Sequence, residues 1–566
     1  MQITNLNNFL IEKAIRDKIS WFLFFSVITY ICFYKLWLNA VVPFTVTMSY
    51  SADQTWFFLN ARSITQGKWL GEVYNHYTLI KGPVYSIFLS MVANLGISPK
   101  LAIDVIYIAA SLTFLKALCC ALNNKIAISI GFLLVIMNPI TASEYWAEPL
   151  RSNLYLSLVL IYLSTLMVLI IKSYQSPEKL QIKWALLCGF SLALAWNTRE
   201  ESIWMLSGLF PLLLILIWRF SHRNHRLSPF ISLMIILLIP IFLWQYIAGI
   251  NEEKYGFKGV SEFKGTQFAR AANAIYSLNT DNGKPYIYLS TTVVDKLNTI
   301  GPSTQRLAKA LLNDDGVTFK KKFAPKGSHS SWAIRSAMAK DGYYKDFHNT
   351  ELAYQKIADE IEAYCQTNSG ACRKTYIPGI LIKQDAVKNL SANIHKGLKK
   401  ATNFVHFPPS LAVEKRKRGD RQFQYLVNRF FNIHTDFDEN YELSSEISKI
   451  ELYRKNKLRN FYKQYKNEFL NVLLLSILIC LITTIFLNSW QSKMIGILMI
   501  GSFSASFAIY ILLTTFVLGD LPRALISSSI PMLCFSAYYL GLGIQITTDC
   551  LGKVIIMQFK KIQEAS

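Results

Sequence analysis

The stretch Gly82-Pro83-Val84-Tyr85-Ser86-Ile87-Phe88-Leu89-Ser90-Met91-Val92-Ala93-Asn94-Leu95 decides how this chain is threaded. Its apolar part, Val84 to Leu95, is only 12 residues long and follows a Gly-Pro breaker. A helix needs about 17–25 apolar residues to cross a hydrocarbon layer of ~30 Å, so 84–95 reads as an interfacial helix and not a span. Outward from it, apolar runs of membrane length recur near 21–41, 100–119, 126–141, 154–172, 184–197, 202–218, 228–248, 467–487, 494–517 and 525–545. The fold class is therefore a polytopic α-helical membrane protein of about 10 transmembrane helices.

With 84–95 on the surface, Lys13, Arg16 and Lys18 share one membrane face with the turns holding Lys125, Lys172, Lys179, Lys183, Arg219, Arg223 and Arg226, and with Lys493, Lys553, Lys560 and Lys561. Excess Lys and Arg in short loops marks the cytoplasmic side. Counting 84–95 as a span would turn the loops from Lys125 to Arg226 outward and break that rule. The first apolar run lacks a small-residue cleavage site and reads as an uncleaved signal-anchor. The opposite face receives the first outer loop, 42–99, and a polar insertion, 251–466. The chain thus divides into a membrane module over 1–250, an extracytoplasmic soluble domain inserted between spans over 251–466, and C-terminal transmembrane helices over 467–566. The localisation read from this is a bacterial inner membrane.

At 566 residues, 52% hydrophobic and only 17% charged, the composition excludes a disordered or fibrous chain and one large soluble enzyme. The net charge of +23 is matched to anionic membrane lipids and not to nucleic acid. The insertion has the composition of an α/β or mainly helical domain. Glu351 to Tyr364 shows helical spacing, and Pro285 to Ser290 looks strand-like. Of nine cysteines only Cys365 and Cys372 lie there; they suit a local disulfide on an oxidising face, or two buried thiols. No CxxC, HExxH or Gly-rich phosphate loop is present, so neither a metal nor a soluble nucleotide site is supported.

Ionisable groups at membrane level persist mainly where they face a polar cavity or each other. Here five groups, from four connections, are delivered to one face: Asp53; Lys68 and Lys81; Glu144, Glu148 and Arg151; Arg199, Glu200 and Glu201; Asp520 and Arg523. Each has a plain structural reading when taken singly. Glu148-Pro-Leu-Arg151 is also a helix start with an i,i+3 ion pair, and Asn197 to Glu201 a solvated turn. The convergence on one face favours a site.

The run Tyr50-Ser-Ala-Asp53-Gln-Thr-Trp56, then Ala61 to Gly71, then Leu79-Ile-Lys81-Gly82-Pro83-Val-Tyr85, resembles the first outer loop of GT-C glycosyltransferases, the polyprenyl-phosphate-sugar-dependent enzymes that include aminoarabinose transferases and protein mannosyltransferases. In that family an acidic residue after the first span precedes an interfacial helix, a Lys-(Gly/Pro)-Pro segment opens a second one, and a further carboxylate lies in the next outer loop, similar to Ser143-Glu-Tyr-Trp-Ala-Glu148-Pro-Leu. The resemblance covers roughly 20–220 and does not reach the insertion. It implies transfer of a sugar from a polyprenyl-phosphate donor to a lipid, glycan or protein acceptor on the extracytoplasmic face. Asp53 is followed by Gln54 and not by a second acid, so no adjacent carboxylate pair is available to a metal.

Such a transfer needs a base for the acceptor hydroxyl, a carboxylate near the cationic sugar and cations for the departing phosphate. Asp53 and Glu148 are the candidate catalytic carboxylates. Lys81, Arg151, Arg199 and Arg523 are candidates for the donor phosphate, because guanidinium forks match phosphate oxygens. Glu200, Asp520, Trp56 and Tyr85 are candidates for substrate contact. Asp53 is equally placed to cap a helix starting near Gln54, and Trp56 and Tyr85 to act as belt aromatics at headgroup depth. A transporter or flippase of lipid-linked intermediates is the main rival, although its broken helices and repeats are not seen here; a non-catalytic envelope assembly protein is another. The topology predicts that a cysteine introduced near Ser391 reacts with a membrane-impermeant thiol reagent on intact cells while one near Arg223 does not; the reverse pattern inverts the orientation.

Overall fold

The structure, a computed structural model, describes residues 2–42, 52–143, 146, 150–176, 179–221, 228–263, 265–279, 289–312, 327–368, 370–372, 390–403, 427, 429–431, 449–486, 489–518 and 522–565. Helix α1 (Gln2–Asn39) ends where α4 (Pro99–Ala121) begins, with Lys100 Nζ donating to the Asn39 carbonyl at 2.8 Å. Between them lie α2 (Ala52–Thr65) and α3 (Val84–Asn94), packed on each other. α4 starts cleanly because Ser98 accepts a hydrogen bond from Leu101 N and Pro99 occupies the first helical position. At its far end Asn124 caps α5 (Lys125–Ile136), and Lys125 Nζ donates to Ser20 Oγ at 2.8 Å. The 3₁₀ turn Pro139–Ala142 then comes back to Asn39, whose Nδ2 donates to the Thr141 carbonyl at 3.1 Å.

These contacts define two ends of a bundle: a proximal end at Ser20 and Lys125, and a distal end at Asn39, Lys100 and Thr141. α6 (Arg151–Gln175) runs from distal to proximal, where Gln175 Nε2 donates to the Cys120 carbonyl at 3.2 Å. α7 (Ile182–Trp196) returns along it, and Arg151 meets the Thr198 carbonyl at 2.9 Å. α6 is buried almost all round, the pattern of a central core helix. The 3₁₀ segment Glu200–Leu209 with α8 (Phe210–Ser221) descends, and α9 (Ser228–Tyr255) ascends until Tyr255 OH donates to the Gly71 carbonyl at 2.8 Å.

The insertion follows as α10 (Gln267–Ser277), α11 (Thr291–Ile300), α12 (Pro302–Leu312), α13 (Gly327–Lys340), α14 (Phe347–Thr367) and α15 (Leu390–Asn403). α10 to α14 share a core built from Phe268, Ile275, Leu297, Leu307, Ile334 and Ile357. Glu351 of α14 accepts from the Gln267 and Phe268 amides, so one helix supplies partners for the orphan N–H groups of another. Cys365 and Cys372 form a disulfide with Cα atoms 5.5 Å apart. Among the described residues the insertion is helical, with one isolated bridge between Leu278 and Cys372. The strand-like segment 285–290 lies outside the described residues except Leu289 and Ser290, and Ser290 caps α11.

Helix α16 (Lys449–Ile485) enters at the distal end, where Lys35 Nζ donates to Tyr462 OH at 2.8 Å. α17 (Trp490–Leu512) starts proximally, its Trp490 stacked on Tyr174, and α18 (Pro522–Ala565) comes back to the proximal end, where Gln545 accepts from Asn123 N at 2.8 Å. Among the described residues, ten segments therefore run from end to end, and the first and last helices both reach the proximal side. Among the described residues, eight of the helical segments are long and apolar enough to cross a membrane by themselves. Of the two others, α5 with 12 residues is shorter than the span expected at 126–141, whereas α7 with 15 matches the one expected at 184–197. Asn138-Pro139 ends α5 early, but 125–141 still accompanies residues 20–39 of α1, a rise of about 28 Å at 1.5 Å per residue. α3 does not cross, because Gly82 before it and Lys100 after it both stand at the distal end.

The loop between α2 and α3 is held by the insertion. Arg335 of α13 and Glu262 form an ion pair with almost no solvent contact, and Arg335 also donates to the His76 and Thr78 carbonyls at 2.9 and 3.0 Å. Burial pushes the Glu262 carboxyl upward, opposed by Arg335; the guanidinium stays protonated beside it. His76, beside Tyr77, has its pKa drawn down to about 4, first by burial and second by the Arg335 charge. A histidine whose folded value lies below its unfolded value of about 6.5 contributes stability that is complete above that pH and is lost as pH falls through the folded value. The melting temperature of the native protein relative to a His76→Gln variant is thus expected to drop between pH 7 and pH 4; a difference independent of pH over that interval rules the linkage out.

Candidate functional site

Gly82 rests on the turn after α7: a Cβ built there would meet the Asn197 carbonyl oxygen at 2.1 Å and its carbon at 2.9 Å. Only glycine allows this approach. The contact sets Lys81 beside the start of α6. Lys81 Nζ lies 5.8 Å from the Phe57 ring centroid and the Arg151 guanidinium 5.9 Å from the same ring, so two cations bracket one buried aromatic of α2. Arg151 donates to Glu200 at 2.8 Å and to the Thr198 carbonyl at 2.9 Å, and Lys81 acts electrostatically on the same carboxylate. Arg199, in extended conformation ahead of the 3₁₀ segment, pairs with Glu201 and lies 5.5 Å from the Tyr155 ring centroid. It is only 9% exposed, and its Nε has no hydrogen-bond partner among the described residues.

The structure therefore brings together Lys81, Arg151, Arg199 and Glu200 from three connections. Among the described residues, two carboxylates, Glu200 and Glu201, stand with three cations here. Asp53 is the second residue of α2, four before Phe57 and inside the first turn, not ahead of it; its side chain lies outside the described residues, as does that of Arg523 near the start of α18. Glu148 and Asp520 lie wholly outside them. Trp56 and Tyr85 are corrected: at 1% and 0% exposure neither offers a ring to a sugar or a headgroup. Trp56 Nε1 is tied to the Tyr77 carbonyl and Tyr85 meets Phe57 edge-on at 4.9 Å, so both are packing under the cations.

A cavity of about 310 Å³ opens against this cluster. Its walls are Gly82, the turn Trp196 to Glu200, Trp244 of α9, and the strap 257–261 at the start of the insertion. The buried Arg199, Trp196 and Trp244 all line it, together with Lys258 and Ser261 of the strap. No cluster of acids, histidines or cysteines suited to a metal occurs among the described residues.

Sequence reasoning missed a second polar cluster at the distal end. Asp104 accepts from Lys100 at 2.8 Å, Trp146 at 2.7 Å and Asn39 at 3.1 Å, while Lys35 donates to Thr141 Oγ1 at 2.5 Å. All are buried. Lys100 and Asp104, four apart at the start of an apolar run, and Lys35 inside the first run, were the available signal.

No protein-family description matches this sequence, and no curated protein matches it. Among solved structures, the chain is similar to the crystal structure of ArnT from Cupriavidus metallidurans in the apo state, 12% identical with a TM-score of 0.30, over 92% of this chain and 76% of that one. It is also similar to ArnT from Cupriavidus metallidurans bound to undecaprenyl phosphate, 11% identical with a TM-score of 0.28 over the same shares. Likenesses this loose leave function to be argued from the residues.

The tight Gly82 contact yields a direct test. Gly82→Ala forces a methyl onto backbone that cannot yield cheaply, and overpacking of this kind costs about 1–3 kcal/mol or more. Gly249→Ala in α9, where nothing lies within 4 Å, is the control and is expected to be neutral or slightly stabilising. Thermal unfolding in detergent should separate the two; equal melting temperatures refute the proposed close contact.

Proposed function

We propose that this chain is an integral membrane glycosyltransferase of the GT-C kind, which moves a sugar from a polyprenyl-phosphate donor to an acceptor on the extracytoplasmic face. The observation that carries the reading is the gathering of Lys81, Arg151 and Arg199 at one end of the membrane bundle, beside a cavity whose wall includes Trp244 of a membrane-crossing helix. A ligand there meets cations, water and the lipid-facing side of the bundle at once, as a lipid phosphate carrying a sugar does.

In this reading the acceptor hydroxyl gives its proton to the Asp53 carboxylate as its oxygen bonds to the anomeric carbon. The bond from that carbon to the phosphate oxygen breaks, and the polyprenyl phosphate leaves with the electron pair. Lys81, Arg151 and Arg199, with Arg523, neutralise the charge that grows on the leaving phosphate. Glu148 supports the cationic sugar, and Glu200 and Asp520 contact substrate. Glu200 also orients Arg151, so its loss would act through the phosphate site. No metal is invoked.

Purified protein in lipid nanodiscs should turn over polyprenyl-phosphate sugars and leave sugar nucleotides untouched; activity with nucleotides alone refutes the donor assignment. Asp53→Asn separates base from helix-terminal role. Asparagine serves a helix start almost as well as aspartate, whereas loss of a general base costs about 10²–10⁴ in rate. Normal membrane expression with turnover at least about a hundredfold lower is expected. An Asp53→Asn variant with native activity removes Asp53 from the chemistry.

A further inference from the structure

Four backbone carbonyls that lead into Lys81 are all taken by the insertion. Arg335 Nε donates to the His76 carbonyl and Nη2 to that of Thr78. The Glu262 amide donates to the Leu79 carbonyl at 2.9 Å, and Ser261 Oγ to the Ile80 carbonyl at 2.7 Å. Leu79 itself is buried at a φ of +61°, a left-handed conformation that a leucine keeps only where its surroundings enforce it. The enforcing groups are in turn fixed. Arg335 is fully buried, paired with Glu262 and lying 5.0 and 5.1 Å from the Phe268 and Tyr344 ring centroids. Ser261 also lines the cavity.

Among the described residues, the loop's own contacts close only the turn from Asn75 to Thr78, and outside the insertion Trp56 Nε1 of α2 holds the Tyr77 carbonyl. The next residues are Lys81, which sits over Phe57, and Gly82, which rests on Asn197. We infer that Ser261, Glu262 and Arg335 of the insertion are positioning residues for Lys81, so that the insertion sets the affinity of the membrane module for a lipid phosphate through the placement of that lysine. The inference rests on the reading of Lys81 as a phosphate ligand.

The test uses the full chain in nanodiscs and polyprenyl phosphate as the probe, with binding measured for Ser261→Ala, Lys81→Ala and the double variant. Loss of one hydrogen bond of this kind is expected to weaken binding by about two- to tenfold. Because Ser261 acts through Lys81, the double variant should bind no more weakly than Lys81→Ala alone. Additive losses overturn the inference, since they mean that Ser261 contributes by another route. Arg335→Lys, which keeps the charge beside Glu262 but cannot span two carbonyls, should fold and bind as weakly as Ser261→Ala or more weakly; native affinity in that variant also overturns it. If Lys81→Ala binds polyprenyl phosphate normally, the donor reading fails instead. Hydrogen exchange across 76–81 then decides the positioning: faster exchange in Ser261→Ala upholds it, and unchanged exchange sinks it.

Discussion

The backbone of Gly82 lies against the backbone of Asn197, and much of the distal end follows from that contact. A side chain on either surface could rotate away, but two main chains pressed together fix both segments. α3 must then start at the level of the turn after α7, and it is too short to do anything but remain there. Lys81 is delivered to Phe57 and to the start of α6, where Arg151 waits with Glu200. The same turn carries Arg199 one side chain further on. One backbone contact thus joins the α2–α3 loop to α6 and α7.

Two buried charge clusters stabilise this end in different ways. Lys100 and Asp104 tie α4 to α1 and to Trp146, deep in a membrane bundle where an unpaired ion is costly. Arg335 and Glu262 join the insertion to the α2–α3 loop. Desolvating such pairs consumes most of their attraction, so neither is a large net source of stability. Their effect is on uniqueness: once formed, no other register of the chain satisfies Arg335, which needs the Glu262 carboxylate and two particular carbonyls. Removing one partner leaves a buried charge without compensation, which is far worse than never having had the pair.

The bundle was largely legible in the sequence because membrane spans are a matter of length and hydropathy, and 84–95 fails on length alone. The gathering of Lys81, Arg151, Arg199 and Glu200 was legible too, as a convergence of charges on one face. What was not legible has physical reasons. α5 stops at Asn138-Pro139 and continues as a 3₁₀ turn, so a window of apolar residues overstates its helical length. Trp56 and Tyr85 read as interfacial aromatics because sequence cannot tell a ring at the headgroup from a ring beneath a loop. Lys35 and Asp104 sit inside apolar runs whose average hides them. The hold of the insertion on the α2–α3 loop depends on contacts between residues far apart in sequence, from Ser261 with Ile80 at 181 to Arg335 with His76 at 259, and no local pattern announces those.

The electrostatics of the cluster also bear on how it would work. Arg151 and Arg199 are each committed to a glutamate, so an arriving phosphate competes for guanidinium donors that are already engaged. That limits ground-state binding. As a sugar–phosphate bond lengthens, negative charge builds on the phosphate while the glutamates keep theirs, and the competition tilts toward the phosphate. Interactions that strengthen only as the bond breaks lower the barrier, whereas equally strong binding throughout does not. The glutamates meanwhile hold the guanidinium groups oriented before any ligand arrives, so little reorganisation is needed. Lys81, placed by the α2–α3 loop, adds a third cation beside the two arginine–glutamate pairs.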